Sequence, residues 1–199
     1  MTTAPLSSWL EIRQWRKGQR EALLRARVDA GAEKRKTWSA VIAPHLQQVI
    51  AERRPASVGF YWPFKGEFDP RPLARELVAG GMTMALPTVV QPRTPLEFRR
   101  WTPGIEMEIG VYNIPFPKQR DVLQPELLLV PLVGFDAAGY RLGYGGGYYD
   151  RTIASFATRP FALGIGFELS RLETIFPQDF DLAMDVIVTE AGLWRRTRG

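Results

Sequence analysis

The sequence predicts an α/β fold built on a mainly parallel sheet. Two patterns carry that prediction. The first is a strand–loop–helix–strand unit: Val58 to Trp62 reads as a strand, Arg71 to Ala79 as a helix ended by Gly80-Gly81, and Met82 to Leu86 as a second strand. A unit of this length implies a parallel pair joined by a right-handed crossover. The second is the apolar run Leu127 to Val133, a buried strand, followed by a glycine-rich turn and a helical pattern from Tyr148 to Phe156. Phe161 to Phe167 adds a further buried strand.

The elements before this core are helical. Ser7 or Ser8 is placed to cap a helix running to about Val28. At 100° per residue, Arg13, Arg20 and Arg27 fall within about 60° of Arg16 on the helical wheel. Composition alone favours a solvated basic face for these four arginines. A second helix spans about Ala32 to Ala51, and Pro44 should kink or divide it. His45 reads as a structural or surface residue. After Met82 to Leu86 come a proline-rich connection, Pro87 to Pro95, and a strand from Leu96 to Trp101. Residues 102–125 lack periodicity and read as a long loop. Glu168 to Phe176 reads as a short helix, Val186 to Thr189 as a strand, Leu193-Trp194 as a terminal edge strand, and Arg195 to Arg198 as a frayed tail.

Bulk properties narrow the function classes. The 199 residues suit one domain, 1–199, with flexible ends at 1–6 and 196–199. The chain has no cysteine, which excludes disulfides, thiolate metal sites and cysteine nucleophiles. Its single histidine excludes a multi-histidine metal site. A net charge of +5 favours anionic partners, either nucleic acid or phosphorylated small molecules. No leader pattern and no long apolar span is present, so a soluble cytoplasmic protein with no membrane partner is expected.

The chemistry concentrates between Val130 and Arg151. Five glycines fall in the nine residues from Gly139 to Gly147. Glycine has no Cβ and tolerates positive φ, so other groups can approach its backbone. Successive N–H groups at a helix N-terminus form a nest for an anion, most often phosphate. Arg141 and Arg151 flank this nest, and Asp150 lies in the first helical turn. A turn without ligand is the bland alternative; the flanking arginines and aspartate favour phosphate and metal. The loop fits neither the Walker A pattern, which needs Lys-Ser or Lys-Thr, nor Gly-x-Gly-x-x-Gly, whose last position falls on Tyr148.

The motif Phe135-Asp136-x-x-Gly139-x-Arg141-Leu142-Gly143-x-Gly145-x-Gly147-Tyr148-Tyr149-Asp150 resembles the signature of the 5-formyltetrahydrofolate cyclo-ligase family. That resemblance implies a three-layer α/β/α domain of the sugar-phosphate isomerase and CoA transferase kind. It also implies an N-terminal Lys-x-x-x-Arg that contacts ATP, onto which Arg16 and Arg20 fall, with Lys17 adjacent. Glu67 matches a glutamate that contacts the pterin ring; on residue type alone it reads as an exposed loop glutamate. Trp62 takes a substrate-contacting apolar position. Tyr112, in Tyr112-Asn113-Ile114-Pro115-Phe116-Pro117, matches a region at the folate pocket and could equally be an ordinary packing residue. Asp181 and Asp185 match a Pro-x-x-His-Asp-x-Pro-x-Asp segment in which Phe180 stands for the histidine and Ala183 for the second proline.

On this resemblance the formyl oxygen of 5-formyltetrahydrofolate attacks the γ-phosphate of ATP, nitrogen-10 attacks the activated carbon, and phosphate leaves. Arg16, Lys17, Arg20, Arg141, Leu142, Gly143, Tyr144, Gly145, Gly146, Gly147, Tyr148 and Tyr149 are expected at ATP. Trp62, Glu67, Tyr112 and the stretch Tyr144 to Tyr148 are expected at the folate. Arg141, Tyr148 and Asp150 are the expected catalytic residues, and Asp150 with Asp185 the expected magnesium ligands. A monomer or weak homodimer with no nucleic-acid partner is implied. Two rival readings are a related protein acting on another pterin or small molecule, and a basic RNA-binding module. No RNA-recognition motif supports the second.

Overall fold

A computed structural model describes residues 8–196. Two helices open it, α1 (Trp9–Asp29) and α2 (Ala32–Arg53). Ser8 caps α1 in a capping box: its hydroxyl accepts from the Glu11 N–H, and the Glu11 carboxylate accepts from the Ser8 N–H. Ser7, the alternative cap, and the expected flexible residues 1–6 and 197–199 lie outside the described residues. The helix α2 runs through Pro44 without dividing, which leaves the kink of the two expected outcomes. Ala40 and Pro44 both lie on its exposed face, so the carbonyl that proline leaves without a donor is open to water.

The strand–helix–strand unit follows as β1 (Ser57–Gly59), α3 (Arg71–Ala79) and β2 (Thr83–Thr88). Next come β3 (Glu97–Trp101), β4 (Met107–Ile109), β5 (Pro115–Pro117) and β6 (Val122–Leu123). The expected loop 102–125 is therefore partly ordered into a β4–β5 ribbon and an edge strand. Strands of two or three residues are too short to show a period. The chain then forms β7 (Leu127–Pro131), a hairpin of β8 (Gly134–Phe135) and β9 (Arg141–Leu142), the helix α4 (Tyr148–Ser155), β10 (Phe161–Ile165), β11 (Val186–Thr189) and β12 (Gly192–Arg195).

One eight-stranded sheet runs in the order β12-β11-β10-β7-β1-β2-β3-β6. The five inner strands are parallel, and β12, β3 and β6 close the edges antiparallel. Side chains alternate between the faces. Leu127, Leu129, Leu163, Ile165, Val186 and Val188 pack with α2 and α3; Leu128, Val130, Ala162 and Ile187 pack with α4. This is the expected three-layer arrangement. Gly59 makes it possible at the centre, because a Cβ there would meet Leu128 Cδ2 at 2.6 Å and Phe98 Cε1 at 2.7 Å.

Two further expectations fail for identifiable reasons. Only Glu168–Ser170 of the expected helix to Phe176 forms, as one 3-10 turn. Beyond it the Leu172 N–H donates to the Phe135 carbonyl and the Ile175 N–H to Asp136, partners that draw the backbone out of a helix. Of the tail expected to fray from Arg195 to Arg198, the described part is held: Arg195 pairs in β12, and the Arg196 N–H donates to the Asp185 carbonyl.

Candidate active site

A cavity of about 840 Å³ opens beyond the C-terminal ends of β7, β1 and β2, where Pro131, Tyr61, Trp62 and Thr88 line it. Ligands of open parallel sheets gather at this end. Five further segments line it: α1, the loop after β1, residues 110–116, the glycine loop between β9 and α4, and residues 179–182.

The arginine face of α1 is solvated only in part: Arg13 is exposed and Arg20 half-buried, while the other two are buried. Arg16 is 5% exposed and Arg27 only 2%. Arg16 donates Nε to the Ile175 carbonyl at 2.9 Å and Nη2 to the Phe176 carbonyl at 2.9 Å and to Asp181 at 2.5 Å. It lines the cavity, but its donors hold the 175–181 segment against α1. Arg20 donates Nε to the Gly143 carbonyl at 2.7 Å. Burial, with the like charge of Arg16 adding to it, pushes Arg20 below the usual guanidinium range. Lys17 points to solvent and is absent from the cavity wall, which removes it from the expected ATP contacts.

Asp136 shapes the hairpin that presents the glycine loop. Its Oδ1 accepts from the Ala138 and Tyr140 N–H groups, both at 3.1 Å, and Gly139 takes φ +87° at the turn. The Phe135-Asp136-x-x-Gly139 part of the motif thus builds a turn. Gly143, Tyr144, Gly145, Gly146 and Gly147 all face the cavity, and Gly147 enters α4 at φ +63° with no side-chain cap on the helix N–H groups. The ring of Tyr148 lies so close to Gly146 that a Cβ there would fall 2.8 Å from it. Tyr149 is half-buried beneath, and desolvation raises its phenol well above the usual range.

Arg141 is almost fully buried. Its Nη2 donates to Asp150 at 2.7 Å, its guanidinium lies 5.5 Å over the Tyr149 ring, and its Nε has no protein partner. Asp150 also accepts from the Leu182 N–H at 3.2 Å. Asp185 is not brought to it. The Asp185 carboxylate pairs with Arg159 at 2.7 Å and accepts from the Ala162 N–H, at the start of β10 and β11 and away from the cavity wall. Asp150 sits in the first turn of α4 and Arg159 lies beyond its last, so the expected pair of magnesium ligands is split across that helix. Among the described residues no cluster of three His, Cys, Asp or Glu is arranged to hold a metal ion.

Glu67 also lines the cavity, and its side chain is 4% exposed. The Tyr144 hydroxyl donates to its Oε1 at 2.6 Å and the Phe64 N–H to its Oε2 at 2.8 Å, while Arg27 Nη1 lies 3.9 Å from Oε1. Burial outweighs these partners and raises Glu67 to about 7. Trp62 lines the cavity with the Arg71 guanidinium 4.7 Å over its ring. Tyr112 stands at the cavity rim, 68% exposed, with φ +59° in a one-turn helix, Val111–Asn113. Trp9, Tyr61 and Asp179 also line the cavity with no local signal in the sequence, and so does Arg13, a member of the arginine stripe of α1.

A glycine loop, a cationic wall and a buried carboxylate share one cavity at the carboxyl end of a parallel sheet, the arrangement of an α/β enzyme. The family model of the 5-formyltetrahydrofolate cyclo-ligase family matches residues 12–190, and the chain belongs to that family. The 5-formyltetrahydrofolate cyclo-ligase of Haemophilus influenzae is 30% identical over 156 residues, 74% of this chain and 83% of the relative. The Escherichia coli K12 cyclo-ligase is 33% identical over 148 residues, 69% of this chain and 80% of the relative. The NMR structure of Aquifex aeolicus 5,10-methenyltetrahydrofolate synthetase superposes with a TM-score of 0.80 at 27% identity, covering 92% of this chain and 94% of the other. A synthetase from Mycoplasma pneumoniae shares the fold, with a TM-score of 0.73 at 19% identity over 88% of this chain and 98% of the other. No helix among the described residues is long and apolar enough to cross a membrane.

Proposed function

We propose that the protein converts 5-formyltetrahydrofolate to 5,10-methenyltetrahydrofolate, with ATP cleaved to ADP and phosphate, the formyl oxygen leaving in the phosphate. The observation that carries this reading is that the glycine loop and Glu67 face one cavity, joined by the Tyr144–Glu67 hydrogen bond at 2.6 Å. A nucleotide phosphate on the loop and a pterin on Glu67 would then meet at Tyr144 and Tyr148.

Phosphoryl transfer needs positioning and charge neutralisation more than covalent chemistry. The N–H groups from Gly145 to Tyr148 and the cations Arg20 and Arg141 supply both for ATP. The unpartnered Arg141 Nε is a donor left over for a phosphate oxygen. Magnesium prefers one or two carboxylates completed by phosphate oxygens and water. Asp150, beside the glycine loop at the cavity wall, fits such a site, and it would hold the ion that neutralises developing phosphate charge. Glu67, when ionised, accepts from the paired N–H donors of the pterin. The formyl oxygen is thereby aimed at the γ-phosphate. Closure forms the nitrogen-10 to carbon bond, breaks the carbon–oxygen bond to the departing phosphate, and releases the nitrogen-10 proton.

Absorbance in the methenyl-folate band tests the reading. Purified protein with 5-formyltetrahydrofolate, ATP and magnesium should give a rise that disappears when either ATP or magnesium is omitted. A folded protein that binds ATP and gives no rise would refute the assigned reaction.

A further inference from the structure

The cation nearest the Glu67 carboxylate comes from α1. Arg27 is 2% exposed, and it reaches three separate segments. Its Nη2 donates to the Leu132 carbonyl just past β7, its Nη1 donates to the Tyr144 hydroxyl at 3.4 Å, and the same Nη1 lies 3.9 Å from Glu67 Oε1. Arg20, seven residues earlier and so on the same stripe of the helix, holds the Gly143 carbonyl. One helix therefore fixes the glycine loop twice, by backbone at Gly143 and by side chain at Tyr144.

Counting lone pairs gives this arrangement a consequence. An ionised carboxylate has about two acceptor sites on each oxygen. At Glu67, Tyr144 takes one site on Oε1 and Phe64 takes one on Oε2. One site per oxygen remains, and Glu67 lines the cavity. A carboxylate with one free site on each oxygen matches a planar ligand edge carrying two adjacent N–H donors.

We propose that Arg27 is a positioning residue for substrate recognition: it fixes the Tyr144 hydroxyl on Glu67 and so keeps one acceptor site on each carboxylate oxygen open to a paired N–H donor. The proposal rests on the reading of Glu67 as the pterin contact. The ionisable groups facing Glu67 come from four elements: Arg27 from α1, Tyr61 from the segment after β1, Tyr144 from the glycine loop and Tyr149 from α4. Only Arg27 among them is cationic. It favours the ionised carboxylate against the burial that opposes it.

Calorimetric binding of 5-formyltetrahydrofolate from about pH 5.5 to 8.5 tests this, with the KM for ATP measured in parallel. Wild type should bind more weakly as pH falls below about 7, where Glu67 takes up its proton. Arg27→Met should weaken folate binding about tenfold or more, the usual effect of losing a charge-assisted contact. It should also move the pH limb upward and leave the ATP KM within about twofold, a change below 1 kcal/mol. Tyr144→Phe should move the limb in the same direction, and Arg27→Lys should restore it toward wild type. A limb unmoved in Arg27→Met, or in Tyr144→Phe if the first variant does not fold, overturns the proposal. Glu67→Gln separates the two readings. If it leaves folate affinity unchanged, or if wild type binds no folate, the pterin reading and this proposal fall together. If it weakens binding while Arg27→Met and Tyr144→Phe leave the limb in place, the proposal alone falls.

Discussion

Two loops face each other across the cavity and reach their chemistry by opposite routes. The glycine loop, 143–147, is shaped by its backbone: Gly145 and Gly147 take positive φ, and Gly146 yields space to the Tyr148 ring. The loop after β1 works through one side chain, Glu67, whose character comes from burial by residues of other elements. The first kind of site is written in local sequence. The second is written in tertiary packing and cannot be read from the residues beside it.

Substitutions can break this comparison, and the largest effect should come from Asp150, which serves the glycine-loop side. Asp150→Asn removes the candidate magnesium carboxylate and the charge opposite Arg141, and turnover should fall by about a hundredfold or more, the scale of losing a preorganised charge-stabilising group. A near-wild-type melting temperature would show that the loss is catalytic. Turnover unchanged in a folded variant would remove Asp150 from the mechanism.

Glu67→Gln should come next, weakening folate binding about tenfold. Its stability signature has a defined sign. Burial raises the folded-state pKa to about 7, so ionisation opposes folding and this group costs the fold stability as pH rises from about 4.5 to about 7. The melting temperature of Glu67→Gln relative to wild type should therefore be higher at pH 8 than at pH 5. The reverse order would contradict the burial account.

A smaller effect is expected at Gly145, where φ is +95°. A Cβ there would make ordinary contact with the Arg20 guanidinium at 3.4 Å, so strain in the backbone dominates. Gly145→Ala should cost about 1 kcal/mol of stability and raise the KM for ATP several-fold. The smallest functional effect belongs to Asp185→Asn. It loosens the pairing with Arg159, lowers the melting temperature modestly, and leaves the KM for both substrates unchanged. A large rise in either KM would return Asp185 to the site.

Particular residues show how far the sequence could be read. The bounds of α3 and β11 follow from Gly80-Gly81 and from a short β-branched run, both local signals. The glycine loop was legible for the same reason. Asp185 was not, because adjacency to a strand does not say which end of the sheet a side chain faces. Arg16 and Arg27 share a helical stripe that reads as solvated, and only the packing of the 175–181 segment and the glycine loop onto α1 buries them. Pro44 announces a break that an exposed carbonyl makes unnecessary. Phe180, in the place of the family histidine, meets Trp9 edge-on at 5.6 Å at the cavity mouth, a contact between distant positions with no local signal.

The central claim is that the two loops serve different substrates within one cavity. The direct measurement is a pair of constants, the KM for ATP and the dissociation constant for 5-formyltetrahydrofolate, in Gly145→Ala and in Glu67→Gln. The account predicts a crossed result: Gly145→Ala raises the ATP constant with folate binding little changed, and Glu67→Gln does the reverse. Both constants moving together in both variants would contradict it.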